Sequence, residues 1–210
     1  MEFEDALMEM TRCGKGYQRR VADLKAWQQG KRELALEAHA AAERVWHASR
    51  NLAFHSFPQV DAWLARNTRP HMRRKEFLVV EGPSGLGKTE YIKSLVGPEA
   101  CLELNADGMR HPHLHGYDAQ RIRLIFWDEC DVQLILDNRK LFQCPPCWIS
   151  LGFSPTGRDI YRVWVNDSVM AIGSNSWTEK VARLERESDA EWLRKNSVHI
   201  KVTAKMWKET

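Results

Sequence analysis

No run of this sequence approaches the ~18 consecutive apolar residues that a membrane-crossing helix needs. Its opening residues, Met1-Glu2-Phe3-Glu4-Asp5, are acidic where a secretory leader carries a basic and then an apolar stretch. Both absences predict a soluble protein. Cysteine is sparse and odd in number, with five residues scattered at Cys13, Cys101, Cys130, Cys144 and Cys147. That argues against a disulfide framework and for a reduced, intracellular setting. Strong charge of either sign is also missing, since 31 Lys and Arg face 28 Asp and Glu for a formal charge of +3. So small an excess does not by itself identify a nucleic-acid partner, although the cations can still gather on one face. No internal repeat or low-complexity tract is visible. The lone Cys-x-x-Cys pair, Cys144-Pro145-Pro146-Cys147, reads as a tight turn rather than half of a zinc site. What remains is a chain of 210 residues, long enough for one well-buried domain and an extension.

The stretch Glu81-Gly82-Pro83-Ser84-Gly85-Leu86-Gly87-Lys88-Thr89 fits the phosphate-loop pattern G-x-x-x-x-G-K-[ST] at every required position. Phe77-Leu78-Val79-Val80 ahead of it predicts a buried strand, and Glu90 to Val96 behind it predicts a helix. That is the context in which glycines let backbone N–H groups turn inward around a polyphosphate. Gly82, Pro83, Ser84, Gly85, Leu86, Gly87, Lys88 and Thr89 are therefore the candidate nucleotide-binding residues. Lys88 is placed to reach the terminal phosphates and Thr89 to put its hydroxyl on a magnesium ion.

Before that loop the chain is charged and alanine-rich to about Asn51, with Leu34, Ala38, Ala41 and Val45 at helical spacing. Ser56-Phe57-Pro58 can open a second helix, with Ser56 as cap and Val60, Trp63 and Leu64 on one face. Arg69, Arg73, Arg74 and Lys75 then read as a basic linker. This divides the chain into a helical extension and linker over 1–75, a candidate oligomerisation element, and a phosphate-loop domain over 76–210. After the loop, Cys101 to Asn105 predicts a short strand. His111, His113 and His115 follow with no acidic or cysteine ligand at local spacing, and they read as a surface loop.

Ile122-Arg123-Leu124-Ile125-Phe126-Trp127-Asp128-Glu129 predicts a strand ending in two adjacent carboxylates. Asp128 suits the magnesium shell and Glu129 suits a general base for an attacking water. Residues Asp131 to Phe142 predict one helix, and two strands around Phe153-Ser154-Pro155-Thr156-Gly157-Arg158-Asp159 predict a hairpin with Arg158 near its tip. Val169 to Asn175 predicts a further buried strand. It ends in Asn175, which either points at the catalytic water or is an ordinary turn residue. Asp189 to Lys195 predicts the end of a helix leading into a strand over Val198 to Val202.

Gly82 to Thr89, Leu124 to Glu129, the hairpin and Ile172-Gly173-Ser174-Asn175 stand in the order of motifs A, B, B′ and C of superfamily 3 helicases. The set resembles the helicase domain of replication-initiator (Rep) proteins of circular single-stranded DNA viruses and related plasmids. His115-Gly116-Tyr117-Asp118 is similar to their W-x-G-Y-type segment. The resemblance covers roughly Pro58 to Thr203 and stops short of their HUH nickase domain. His113-Leu114-His115 matches only its bare metal pattern, and no nicking tyrosine is credited. The resemblance implies an α/β P-loop NTPase of the ASCE/AAA+-like class, a three-layer core with a central parallel sheet preceded by a helical extension. It further implies ATP and Mg2+ as ligands, a homo-oligomeric ring of six subunits, single-stranded DNA as partner, no membrane partner, and a nuclear location if the source is a eukaryote or its virus. On the same ground Asn175 is the sensor, Arg158 grips the strand, and Arg194, with Lys195 beside it, is the arginine finger that acts across a subunit boundary. Arg158 can equally be an exposed turn arginine, and Arg194 a cation favoured at a helix carboxyl terminus. Two other functions stay open: an RNA helicase of the same superfamily, and an ATP-gated assembly module that unwinds nothing.

Overall fold

The computed structural model describes residues 52–69, 72–153 and 160–208, together with Gln29. The chain divides into two units, Met1–Asn51 and Leu52–Thr210, of which the second is described below. The helical extension read over the first of these lies outside the described residues.

Five strands of the second unit make one all-parallel sheet. They are β1 (Phe77–Glu81), β2 (Cys101–Asn105), β3 (Leu124–Asp128), β6 (Val169–Ser174) and β7 (Ser197–Lys201), in the order β2-β3-β6-β1-β7. The strand that feeds the phosphate loop, β1, is thus parted from β3 by β6. Alternate residues along the strands serve two cores. Phe77, Val79, Ile125, Trp127, Met170 and Ile172 join one apolar cluster, and Leu78, Val80, Leu124, Phe126, Val169 and Ala171 join the other. Burial on both faces explains why these strands read as continuous apolar runs rather than as alternating ones.

Helices cover both faces. On one lie α1 (Pro58–Asn67), through Val60 and Trp63, and α2 (Lys88–Ser94), through Tyr91 and Ile92. The other carries α3 (Val132–Asp137), α4 (Arg139–Phe142), α5 (Trp177–Ala182) and α6 (Glu187–Asn196), with the antiparallel ribbon β4 (Cys147–Phe153) and β5 (Ile160–Val165). This is the α/β three-layer P-loop NTPase architecture, with β6 in the interposed position of the ASCE arrangement.

Three local expectations need correction. Ser56 does not cap α1: Phe57 occupies that position, and the Ser56 hydroxyl donates to Asp61 Oδ2 at 3.0 Å. The helix expected over Asp131 to Phe142 is two, because Asn138 leaves helical geometry at φ −121° and ψ 35°. Asp131 caps the first of them, accepting from Gln133 N at 2.7 Å. Lys75, read as a linker cation, is buried, and its ammonium donates to Ser168 O at 2.9 Å. Burial lowers its pKa, as expected for an ammonium drawn out of water.

Tyr117 has a structural role that its motif did not announce. Its hydroxyl lies 2.8 Å from Ser168 Oγ and accepts from Asn166 N at 3.2 Å, tying the segment before β3 to the turn before β6. Among the described residues no helix is long and apolar enough to cross a membrane.

Candidate functional site

All five sheet strands point the same way, so Glu81, Asn105, Asp128 and Ser174 end on one edge of the sheet. In open parallel sheets that edge is where ligands bind. The phosphate loop leaves β1 there under close constraint. Gly82 N donates to Ser174 O at 3.0 Å, and a Cβ on Gly82 would fall 2.4 Å from Val202 O. Gly87 has φ +83°, and a Cβ there would meet the Trp207 ring at 2.6 Å. Neither position admits a side chain without moving backbone or indole.

The ends of the described unit close around this loop. Met206 N donates to Leu86 O at 3.0 Å, His55 N to Met206 O at 2.8 Å, and Lys208 N to Ala53 O at 2.7 Å. Trp207, which the sequence reading passed over, is thereby laid against Gly87. No sequence spacing signals it, because the contact is made across the whole fold.

Lys88 begins α2 and is buried. Its ammonium donates to Gly82 O at 2.7 Å, Pro83 O at 3.0 Å and Asn175 Oδ1 at 2.8 Å, so each of its three protons has an acceptor. Burial lowers its pKa, while the carboxylates of Glu129 and Asp128 pull the other way. Ser84 Oγ reaches the same Asn175 oxygen at 3.5 Å. Thr89 is half-buried in the first turn of α2.

Asp128 closes β3, in register with Gly173. A Cβ on Gly173 would lie 3.1 Å from Asp128 Oδ1, so the glycine leaves the carboxylate room. Burial raises the Asp128 pKa, Glu129 and Glu103 add to the rise, and Lys88 and Lys93 oppose it. Glu129 follows at φ +53°, in the left-handed region that costs a non-glycine residue roughly 1 kcal/mol or more. Its amide donates to Gly173 O at 2.9 Å, which holds the turn, and its Oε2 accepts from Asn175 N at 3.3 Å. Lys180, on α5, stands 3.7 Å from the same oxygen. The structure therefore brings Lys88, Asn175, Glu129 and Asp128 together, and adds Lys180 to the sequence-derived set. Its place just after Asn175 is the one signal that pointed to it.

The other candidates fall elsewhere. Arg158 lies outside the described residues. Arg194 sits in the last turn of α6, where it pairs with Glu187 at 2.7 Å. It also lines a cavity of about 280 Å³ with Trp177, Val181, Leu193, Ser197 and His199. Among the described residues no three His, Cys, Asp or Glu side chains converge as a metal cage. His113 and His115 stack with ring centroids 4.7 Å apart.

Glu81, the residue before the loop, anchors its entry. The buried carboxylate accepts from Thr178 N at 3.0 Å, Thr178 Oγ1 at 2.5 Å and His199 Nε2 at 2.8 Å. An acid ending an otherwise apolar strand was the available hint. Burial by itself would raise its pKa, but the Thr178 and His199 contacts outweigh that and hold it below the ordinary carboxylate value. Glu81→Ala is expected to lower stability by about 1–3 kcal/mol at neutral pH, read from urea unfolding midpoints. Because the folded pKa is the lower one, the ionised carboxylate stabilises above the ordinary range, and the gap should close as pH falls through the folded value. An unchanged midpoint at neutral pH would remove Glu81 from the support of the loop.

No protein-family model matches the chain, and no curated protein matches it either. Among solved structures, NtrX from Brucella abortus in complex with ADP is 16% identical with a TM-score of 0.40, covering 81% of this chain and 41% of that one. The A form apo structure of the NrS-1 C-terminal region is 15% identical with a TM-score of 0.37, covering 66% of this chain and 38% of that one. The chain thus spans about two-fifths of the length of both of these structures, and likeness at this level says nothing about what it binds.

Proposed function

We propose that this chain is an ATP-dependent DNA helicase or translocase of Rep type that acts in DNA replication and hydrolyses ATP at the subunit interfaces of a hexameric ring. The observation that carries the reading is the meeting of Lys88, Asn175, Glu129 and Asp128 at one edge of the sheet. A pure phosphate binder has use for Lys88 and one acid. A carboxylate fixed beside that pair by Asn175 and Lys180 suits the activation of water.

In this mechanism the loop amides and Lys88 hold the polyphosphate. Charged phosphate oxygens make stronger acceptors for an ammonium than the neutral oxygens that Lys88 meets in the loop and on Asn175. Displacement of Lys88 toward phosphate frees the Asn175 amide oxygen to orient the water that attacks the terminal phosphorus; its proton passes to Glu129 Oε as the bond from that phosphorus to the bridging oxygen breaks and ADP leaves. The hydroxyl of Thr89 and the carboxylate of Asp128 are hard oxygen donors of the kind magnesium takes, one or two from protein and the rest from phosphate and water. When bound, that ion neutralises charge developing on the phosphates. Steady-state ATP hydrolysis with and without single-stranded DNA, combined with strand displacement, tests the assignment. DNA-stimulated turnover with unwinding is expected. Turnover with no DNA response and no displacement would instead fit the assembly module, and displacement confined to RNA duplexes the RNA helicase.

Arg194 tests the ring. Acting in trans as an arginine finger, it would stabilise transition-state charge by about 10³–10⁵-fold in rate. Arg194→Ala and Lys88→Ala subunits should each be inactive alone, yet mixed rings should regain hydrolysis where an intact loop faces an intact arginine. No recovery in rings shown to contain both variants would argue against action in trans, and full activity of Arg194→Ala alone would remove the residue from the site.

A further inference from the structure

The ribbon β4–β5 has two unlike faces. Ile149, Leu151, Val163 and Val165 are buried in the core, whereas Trp148, Ser150, Arg162 and Trp164 are exposed on the other side. Trp148 pairs with Trp164 and Ser150 with Arg162 across the strands. The indoles meet edge to face, with centroids 5.7 Å apart, and remain 61% and 41% exposed. Apart from Leu52 they are the only large apolar side chains so exposed among the described residues. A cross-strand aromatic pair stabilises a ribbon by about 0.2–1 kcal/mol, which does not require leaving both rings in water.

We infer that this outer face is a stacking platform for the bases of an unpaired DNA strand, with Arg162 contacting its backbone. Three features favour that occupant. Indole faces stack on any base without regard to sequence, which suits a strand that must move. The described outward positions carry a guanidinium and no carboxylate, matching a polyanion. Only 61% and 41% exposed, the two tryptophans each offer a part of the roughly 150–250 Å² that a whole aromatic side chain can bury, well short of the ~800 Å² per partner of a stable protein interface but enough for one or two bases. The platform differs in residues and in mode from the phosphate contact expected of Arg158 at the hairpin tip. It deepens the proposed DNA motor and rests on that reading for its strand.

The test is a nucleotide-free titration of labelled oligo-dT with the full chain, followed by fluorescence anisotropy. Without nucleotide, a failure of ATP hydrolysis leaves the result readable, and a failure here leaves hydrolysis untouched. Trp148→Ala and Trp164→Ala should each weaken binding about 5- to 150-fold, the range for loss of one stacked base. Trp148→Phe, which preserves an aromatic face and protects the fold, should retain most of the affinity. On a fully abasic strand the wild type should bind weakly and the variants should no longer differ from it. Equal affinity of the alanine variants for oligo-dT would overturn the inference, as would an equal loss on the abasic strand. Self-association that disappears in the variants while DNA affinity stands would assign the face to a second copy of the chain. Tighter binding of oligo-U than of oligo-dT would assign it to RNA.

Discussion

Lys88→Ala is expected to reduce ATP hydrolysis by at least about 10²–10³-fold, the scale on which loss of one preorganised donor to transition-state charge is felt. Nucleotide affinity should fall with it, because the ammonium serves ground state and transition state alike. The substitution leaves the carbonyls of Gly82 and Pro83 and the amide of Asn175 without their shared donor. Gly82 is buried, but Pro83 and Asn175 are exposed and let water in where the ammonium stood, so the thermal midpoint should move by only a few degrees. Near-normal hydrolysis in a folded variant would sink the phosphate-loop assignment. Collapse of the fold would point to a packing role, and nucleotide titration of Lys88→Arg, which keeps the charge, would then separate the two.

Glu129→Gln is expected to bind ATP and to hydrolyse it about 10²–10⁴-fold more slowly, the usual worth of a positioned base. The amide retains one oxygen for Asn175 N, so the left-handed turn and the loop beside it keep their bond. What disappears is the ability to take a proton. Binding measured by fluorescent nucleotide and turnover measured by phosphate release should therefore part company. Loss of binding together with turnover would mean that Glu129 shapes the loop and is no base. Lys180→Ala provides a graded comparison: it leaves the carboxylate in place and removes the cation 3.7 Å away.

The loop and the acidic strand end were legible because each is a local pattern: a glycine spacing, a lysine, a run of apolar residues and then acids. The three central strands β1, β3 and β6 likewise announced themselves as apolar runs, and the more polar edge strand Cys101–Asn105 has the bounds that its sequence suggested. What could not be read was anything decided by distant partners. The Glu81 carboxylate looks like a stray charge until Thr178 and His199 are folded against it. Trp207 has Lys205 as a local companion, its ammonium 5.5 Å from the ring centroid, but only the fold sets the indole on Gly87. Asn138 interrupts a helix whose apolar spacing continues through it, because its side-chain amide donates to Leu134 O at 2.8 Å while its backbone leaves the helical region. Arg194 could be placed at a helix end from its local pattern, but only the resemblance gave it a role in a site, and within the chain its partner is Glu187.

The short ladder joining Ala53 and His55 to Met206 and Lys208, with Met206 bonded onward to Leu86, gives the unit a mechanical seam. Tension applied at either edge of the described unit is delivered through two or three backbone bonds to the phosphate-loop segment at Leu86, without passing through the sheet. The two edge segments around Ala53–His55 and Met206–Lys208 are thus tied to each other and, through Met206, to the phosphate loop, so strain in either one reaches Leu86 before it reaches any strand.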